Sequence, residues 1–482
     1  MNVFDVAERA ANLESEETEA MLPEYVTGEK SEGALLEVYG RYRDILSPDI
    51  IKRLREAEAK RGDAGVLAGL LNKTILEKIL YRDFTKLRHE NEKISETEHE
   101  FEGESISLKS LEKKSVKSLI QEEKKTYFGK MGRLSDKLLK PLVFRRIEIA
   151  EQIARELGYT SAIEMAQDVF NINSYVEMVR ELLRKGQGKR PNMEKFAEWQ
   201  AYFSKREAYS PQNIKRVIEK YAREAFPENN YRHLELMEGK KGGAGKMLSN
   251  RKFQLISYVI LPIKQETNVI HRWNTSLHEL LDGFAITAKR SSRLRLYTGL
   301  FNSELDEAFA ALGERILESP AWFDWFSETS GSDTADSEIF LEAAKGHRIN
   351  SDLLGGGLKL LVDVELFSNS RQSSDNITQR CEELYLESII IANPQFADVP
   401  DAGKIWSYKG ITPVPFRGHF YVASRMLGGA LYYYMNEKFG GWTYPSKQSR
   451  QAWSGLSRYA ASIDSSKTPV ELMKELGHEY TV

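Results

Sequence analysis

The sequence predicts a mainly α-helical fold, and two observations carry that prediction. Apolar residues recur at three- and four-residue spacing through most of the chain, and only Lys252–Ile263 has the run of Phe, Ile, Val and Tyr expected of a strand. With 482 residues, 41% hydrophobic and 29% charged, the chain can bury a large core and hold a balanced polar surface.

From the N-terminus, Leu35–Tyr42, Ile50–Lys60 and Ala64–Leu80 carry helical apolar stripes. Residues 86–140 mix both charge signs with sparse apolar positions, which predicts long solvent-facing helices broken near Gly103. Leu142–Leu157 is amphipathic again, and Gly158 supplies its stop. Helices follow at Ala162–Phe170 and Val176–Leu183, then a basic connector at Lys185–Pro191. Pro227, Asn229 and Asn230 mark a turn before the glycine-rich run Gly239–Lys246 and the strand. Asn268 is placed to cap the next helix, whose stripe is Ile270, Trp273, Leu277, Leu280, Leu281 and Phe284. Loops are expected at Thr329–Ser337, Gly355–Gly357, Ser368–Asn376 and Asn393–Gly418. An apolar helix at Phe420–Phe439 and a short one at Pro469–Leu476 end the chain, and no fixed-period repeat is visible.

Several function classes lose support at once. A net charge of -3 gives no electrostatic reason to expect nucleic acid or an anionic membrane as partner. No apolar run approaches the roughly 20 residues of a bilayer span. The single cysteine, Cys381, permits no intrachain disulfide, and the acidic start has no signal-peptide pattern, so a cytoplasmic location is expected. The glycine-rich run fails as a phosphate loop. Lys240 stands where the opening glycine belongs, Met247 replaces the magnesium-binding hydroxyl, and the strand follows the loop instead of preceding it.

Four His-Glu pairs occur. His89-Glu90 and His99-Glu100 lie in charged stretches and His478-Glu479 lies near the C-terminus, so exposed polar residues are expected at all three. His278-Glu279 sits within the apolar helix. A zinc hydrolase commonly places two ligands four residues apart on one helical face, with a Glu beside the first to take a proton from water. Here the string is His278-Glu279-Leu280-Leu281-Asp282, and a buried His bonded to a carboxylate of its own helix is the competing account.

Gly239-Lys240-x-x-Gly243-Ala244, a strand, and His-Glu on an apolar helix together resemble the oligoendopeptidase F and thimet oligopeptidase family. The likeness extends to Arg145–Tyr159, to Leu305-Asp306-Glu307, to Trp406 and His419-Phe420-Tyr421-Val422, and to the closing Ser466–Gly477 stretch, covering about residues 140–482. It implies a two-lobed helical metallopeptidase-like body with a small sheet, about residues 250–263, beside a deep channel for short peptides. The implied division is an N-terminal lobe, 1–140, over a catalytic-type lobe, 141–482. The implied metal set is His278, Asp282 and Glu307, with Glu304 as competitor for the last place. Glu279 is the implied base, His419 and Tyr421 the oxyanion donors, and Gly243 and Ala244 part of the substrate-binding cleft. Arg425 is either a cationic donor to substrate or a packing and salt-bridge residue.

Two departures bear on activity. Asp282 stands where the family has His, so the site implies Zn²⁺, another divalent ion, or none. Beyond Val422 the chain reads Ala423, Ser424, Arg425, with tyrosines of the family pattern missing. Metal-dependent hydrolysis of short peptides therefore stands beside a non-catalytic peptide- or protein-binding descendant of the scaffold. Oligomeric state is not encoded in these features.

Overall fold

The computed structural model describes the chain except residues 1, 61, 119, 187–192, 250–253, 264–267, 290–296, 298–300, 302, 352–355, 371, 393–396, 412–413, 464–466 and 478–482. The described chain is mainly α-helical, as the periodicity predicts. Helices α1 Val3–Val26, α2 Glu32–Arg41, α3 Pro48–Glu58 and α4 Asp63–Glu96 lead to the hairpin β1 His99–Phe101 and β2 Glu104–Ile106. Helices α5 Leu108–Lys117, α6 Gln121–Glu156, α7 Ala162–Phe170, α8 Ile172–Gly186, α9 Met193–Phe203, α10 Pro211–Ala225 and α11 Glu228–Tyr231 follow. Strands β3 Leu234–Glu238, β4 Gly243–Ser249 and β5 Gln254–Leu261 precede α12 Val269–Ala288, α13 Ser303–Ile316, α14 Pro320–Ser330 and α15 Ser337–Ser351. The chain ends with α16 Leu358–Ser368, α17 Ser374–Ala392, α18 Trp406–Lys409, α19 Gly418–Phe439, α20 Lys447–Ser462 and α21 Pro469–Glu475. No described helix is long and apolar enough to cross a membrane.

Two compact units, each discontinuous in sequence, divide the chain. The first comprises Met1–Leu76, Glu198–Arg348 and Ala423–Thr481, and the second Glu77–Ala197 and Ile349–Val422. A single helix, α6, runs through residue 140, where the sequence suggests a change of lobe.

The first unit is organised around α12. Asn268 caps it, its side chain accepting the His271 N–H at 2.9 Å. Trp273, Leu277, Leu280, Leu281 and Phe284 are fully buried, each contributing about 1.5–3 kcal/mol of apolar burial. Phe284 packs against Phe226 and Trp453, with ring centroids 4.6 and 5.1 Å away. Two glycines let neighbouring helices come unusually near. A Cβ at Gly313 of α13 would stand 2.4 Å from the Leu277 carbonyl oxygen of α12, and one at Gly428 of α19 would stand 2.6 Å from the Ala308 carbonyl oxygen. Helix α13 is thereby clasped between α12 and α19.

The sheet has the order β3-β5-β4, with β3 parallel and β4 antiparallel to β5. It is larger than the one strand read from sequence, because the glycine segment is itself a strand. Glycines weaken strands in isolation. Here the close approach of neighbours requires them: Cβ atoms at Gly243 and Gly245 would stand 2.7 Å from the Tyr25 ring and 2.4 Å from the Thr18 methyl of α1. Helix α1 was not read from the acidic N-terminal sequence, yet it buries Val6, Ala7, Ala10, Ala11 and Leu13. Near Gly103 the break is a β-hairpin, with Glu102 and Gly103 both at positive φ, the backbone a two-residue hairpin turn needs. The connector at 185–191, the start of the expected strand at 252–253 and the His478-Glu479 pair lie wholly or partly outside the described residues.

Candidate active site

Helix α12 holds His278 on a face directed to α13. His278 Nε2 lies 3.4 Å from Glu307 Oε1, and its Nδ1 lies 2.8 Å from Glu314 Oε1. Glu304 makes a 2.5 Å ion pair with Lys73 instead, which separates the two glutamates that sequence left in competition. Glu314 is buried and also accepts both terminal nitrogens of Arg425, at 2.6 and 2.9 Å. Buried Glu314 thus links half-buried Arg425 and His278. Sequence reasoning missed Glu314, although it sits seven residues after Glu307 and so on the same helical face.

The spacing of these donors is that of ligands on a single zinc ion. Two donors on one tetrahedral ion, with bonds of about 2.0–2.1 Å, stand about 3.3 Å apart. The His278 Nε2 to Glu307 Oε1 separation matches that edge. A ligating His commonly gives its other ring N–H to a carboxylate, as Glu314 would receive it here. The two donors thus stand at the separation of one tetrahedral edge. Among the described residues, no three of His, Cys, Asp and Glu form a complete ligand group, so Asp282 is not brought into one with His278 and Glu307. Asp282 is half-buried one turn beyond His278 and acts on Glu279 through its charge.

The electrostatics follow from confinement. Burial alone would lower the His278 pKa, but the Glu307 charge and the Glu314 hydrogen bond outweigh it and raise it to about 10. Burial pushes Glu279 up to about 8, with His278 opposing and Asp282, Glu307 and Glu314 adding to the rise. Glu314 is held well below the usual carboxylate range, because Arg425 and His278 overcome its burial. Glu279 also borders the glycine segment: a Cβ at Gly242 would stand 3.4 Å from Glu279 Oε1 and 2.4 Å from the Thr275 methyl. Gly243 and Ala244 begin β4, opposite Ile260 and Val259, on an edge strand of the sheet.

These shifts set a pH dependence for metal-free protein. The raised His278 pKa contributes stability that is whole below about 6.5 and is lost as pH rises through about 10. The raised Glu279 pKa acts in the same direction, its contribution being lost between about 4.5 and about 8. The melting temperature of metal-free protein is expected to fall from pH 7 to pH 10. Glu307→Gln should remove about 2 °C of that fall, the scale of a one- to two-kcal/mol change in a chain of this length. An identical slope in the variant would show that Glu307 does not hold the His278 proton.

In the second unit His419 is buried, with its Nδ1 2.6 Å from the Phe416 carbonyl oxygen. Its ring stacks on Phe170 at 5.0 Å and tilts toward Tyr175 at 5.8 Å. Phe416 has a φ of +65°, in the left-handed region that bulky residues avoid. Its N–H donates to Asp363 at 2.9 Å, and Asp363 receives two bonds from buried Arg146, at 2.7 and 3.2 Å. Tyr421, two residues after His419, is half-buried beside the Arg417 guanidinium. The other His-Glu pairs take no part in these groups. His89, expected to be exposed, is buried with Nδ1 2.8 Å from its own helix's Thr85 carbonyl, and His99 lies in β1 against the Ile94 carbonyl.

No family model matches the sequence, and no curated protein matches it. Solved structures do. A protein described as an oligoendopeptidase F is 16% identical with a TM-score of 0.54, covering 93% of this chain and 80% of its own. A peptidase from Chlamydophila abortus is 11% identical with a TM-score of 0.55, covering 98% and 86%. A PZ peptidase A bound to an inhibitor is 13% identical with a TM-score of 0.51, covering 90% and 85%. The fold is that of a helical peptidase. More narrowly, the chain has the oligoendopeptidase F type of fold.

Proposed function

We propose that this chain is an oligopeptidase-like protein whose His278 and Glu307 hold a divalent metal, zinc first among the candidates, with Asp282 as the completing ligand. The single observation that carries the reading is the 3.4 Å His278 to Glu307 edge, backed on the imidazole's far side by Glu314. A divalent ion there would polarise a peptide carbonyl and make a water molecule acidic. Glu279, half-buried beside His278, has a pKa pushed to about 8 and is largely protonated at neutral pH without metal; the charge of a bound divalent ion would favour its ionised form, in which it can take a proton and return it to the leaving amine. An extended peptide would add to the β4 edge by main-chain hydrogen bonds, with Gly242 holding the backbone close against Thr275 and Glu279. Arg425 is committed to Glu314, which supports a positioning role in place of direct contact with substrate.

The test is cleavage of a panel of quenched fluorescent peptides by zinc-loaded protein. Glu279→Gln keeps the shape and removes the base, so cleavage should drop by about 10²–10⁴-fold while peptide binding persists. Peptide binding without cleavage in the wild type would favour the non-catalytic scaffold, for which the incomplete ligand group is the specific motive. Zinc binding indifferent to His278→Ala and Glu307→Ala would overturn the site itself.

A further inference from the structure

A pair of ring nitrogens, one from α12 and one from α15, is not used by the proposed peptidase chemistry. His271 stands in the first turn of the helix, exposed to solvent, and His347 stands half-buried on α15, 76 residues later in sequence. His271 Nδ1 and His347 Nε2 are 3.2 Å apart, with ring centroids at 5.3 Å and planes inclined by 35°. Two imidazoles this close either share one proton as a hydrogen-bonded pair or together ligate a cation. Ligand nitrogens on one ion, at about 2.0–2.1 Å from it, stand about 3.3 Å apart in tetrahedral geometry, so no rearrangement of either helix is needed.

The placement of the two rings on neighbouring helices suits the ligating form. Protein atoms crowd the His271 ring although the residue reaches solvent, and this lowers its pKa, with His278 and Arg272 adding to the fall and Glu314 opposing it. A neutral imidazole offers the lone pair that a metal takes. Both residues sit on regular helices, so the pair is preorganised. The ligand class follows from the donors: two neutral imidazoles suit Zn²⁺, Ni²⁺ or Cu²⁺ better than the oxygen-seeking Mg²⁺ or Ca²⁺.

We propose that His271 and His347 form a second divalent-metal site, separate from the His278 and Glu307 site, which clips α12 to α15 with water filling the remaining positions. His271 precedes His278 by seven residues, a rise of about 10 Å along the helix axis. That is well beyond the roughly 3.5–4 Å between ions that act jointly on one substrate. The second ion is therefore a structural clip and not a co-catalytic partner.

The experiment is calorimetric titration of the full-length chain with Zn²⁺ alone, beside thermal melts with and without Zn²⁺. Wild type, His271→Ala, His347→Ala, their double variant and Glu307→Gln are compared. A component of the zinc isotherm should weaken at least tenfold in either His variant, with no further loss in the double variant, since both residues serve one ion. The same component should survive in Glu307→Gln, which separates this site from the proposed peptidase centre whether or not that centre binds metal. The zinc-induced rise in melting temperature should shrink with it. His347→Gln, which keeps a polar side chain against α12, guards against misfolding and should lose the component too. Zinc binding unchanged in the double variant, or independent additive losses from the two single variants, would overturn the site and leave the pair as a shared hydrogen bond.

Discussion

Asp282→His is expected to raise zinc affinity at least tenfold, the lower end of what an outer-shell partner of a metal site is worth. Residue 282 follows His278 by one helical turn, so its side chain shares that face. An aspartate at this position is short and anionic. Its charge helps push Glu279 up to about 8, which keeps the proposed base largely protonated at neutral pH without metal. An imidazole reaches further, adds a borderline-soft donor and removes the like charge, so the ligand strengthens while Glu279 becomes more fully ionised at neutral pH. Peptide cleavage should appear or increase with zinc affinity, and should vanish when Glu279→Gln is added. Tight zinc without cleavage would move the defect to the oxyanion side, where Ala423 stands in place of a donor and Arg425 is held by Glu314. Reduced cleavage in Asp282→His would mean that aspartate is the working ligand. A folded variant with wild-type zinc affinity would show that residue 282 does not face the metal position.

How far these features were legible in sequence depends on whether their cause is local. The helix α12, its Asn268 cap and its buried stripe follow from spacing alone, and so does the shared face of His278 and Asp282. Glu307 was reachable through its position relative to His278, whereas its separation from Glu304 needed the Lys73 ion pair of α4. Glu314 looks like any polar residue of an amphipathic helix. It is buried only because Gly313 and Gly428 let α12 and α19 close around α13, a property of three helices that none of them carries singly. The β4 strand was hidden for the same kind of reason, since its glycines disfavour a strand until α1 packs on it. Acidic residues along α1 mask a narrow stripe of small apolar side chains, so that helix went unread. Arg146 and Asp363, 217 residues apart, leave no local trace at all.

That last pair sets the largest expected effect on stability. Arg146 and Asp363 are both buried, and the carboxylate takes two guanidinium bonds and the Phe416 N–H. Removing the carboxylate leaves a buried cation without its counter-charge and a buried N–H without its acceptor, a loss of about 3–5 kcal/mol. Asp363→Ala is therefore expected to shift the chemical-denaturation midpoint of the second unit strongly downward. Replacing both partners, as Arg146→Met with Asp363→Leu, should recover most of that loss, because an apolar pair of similar volume carries no charge to desolvate. The double replacement cannot restore the acceptor for Phe416, whose left-handed backbone fixes the carbonyl that receives His419 Nδ1–H. Recovery of stability should thus come without recovery of His419 geometry, which the imidazole nitrogen resonances of His419 would report. If those resonances match wild type in the apolar pair, the Phe170 and Tyr175 stack positions the ring unaided, and Asp363 serves only to neutralise Arg146.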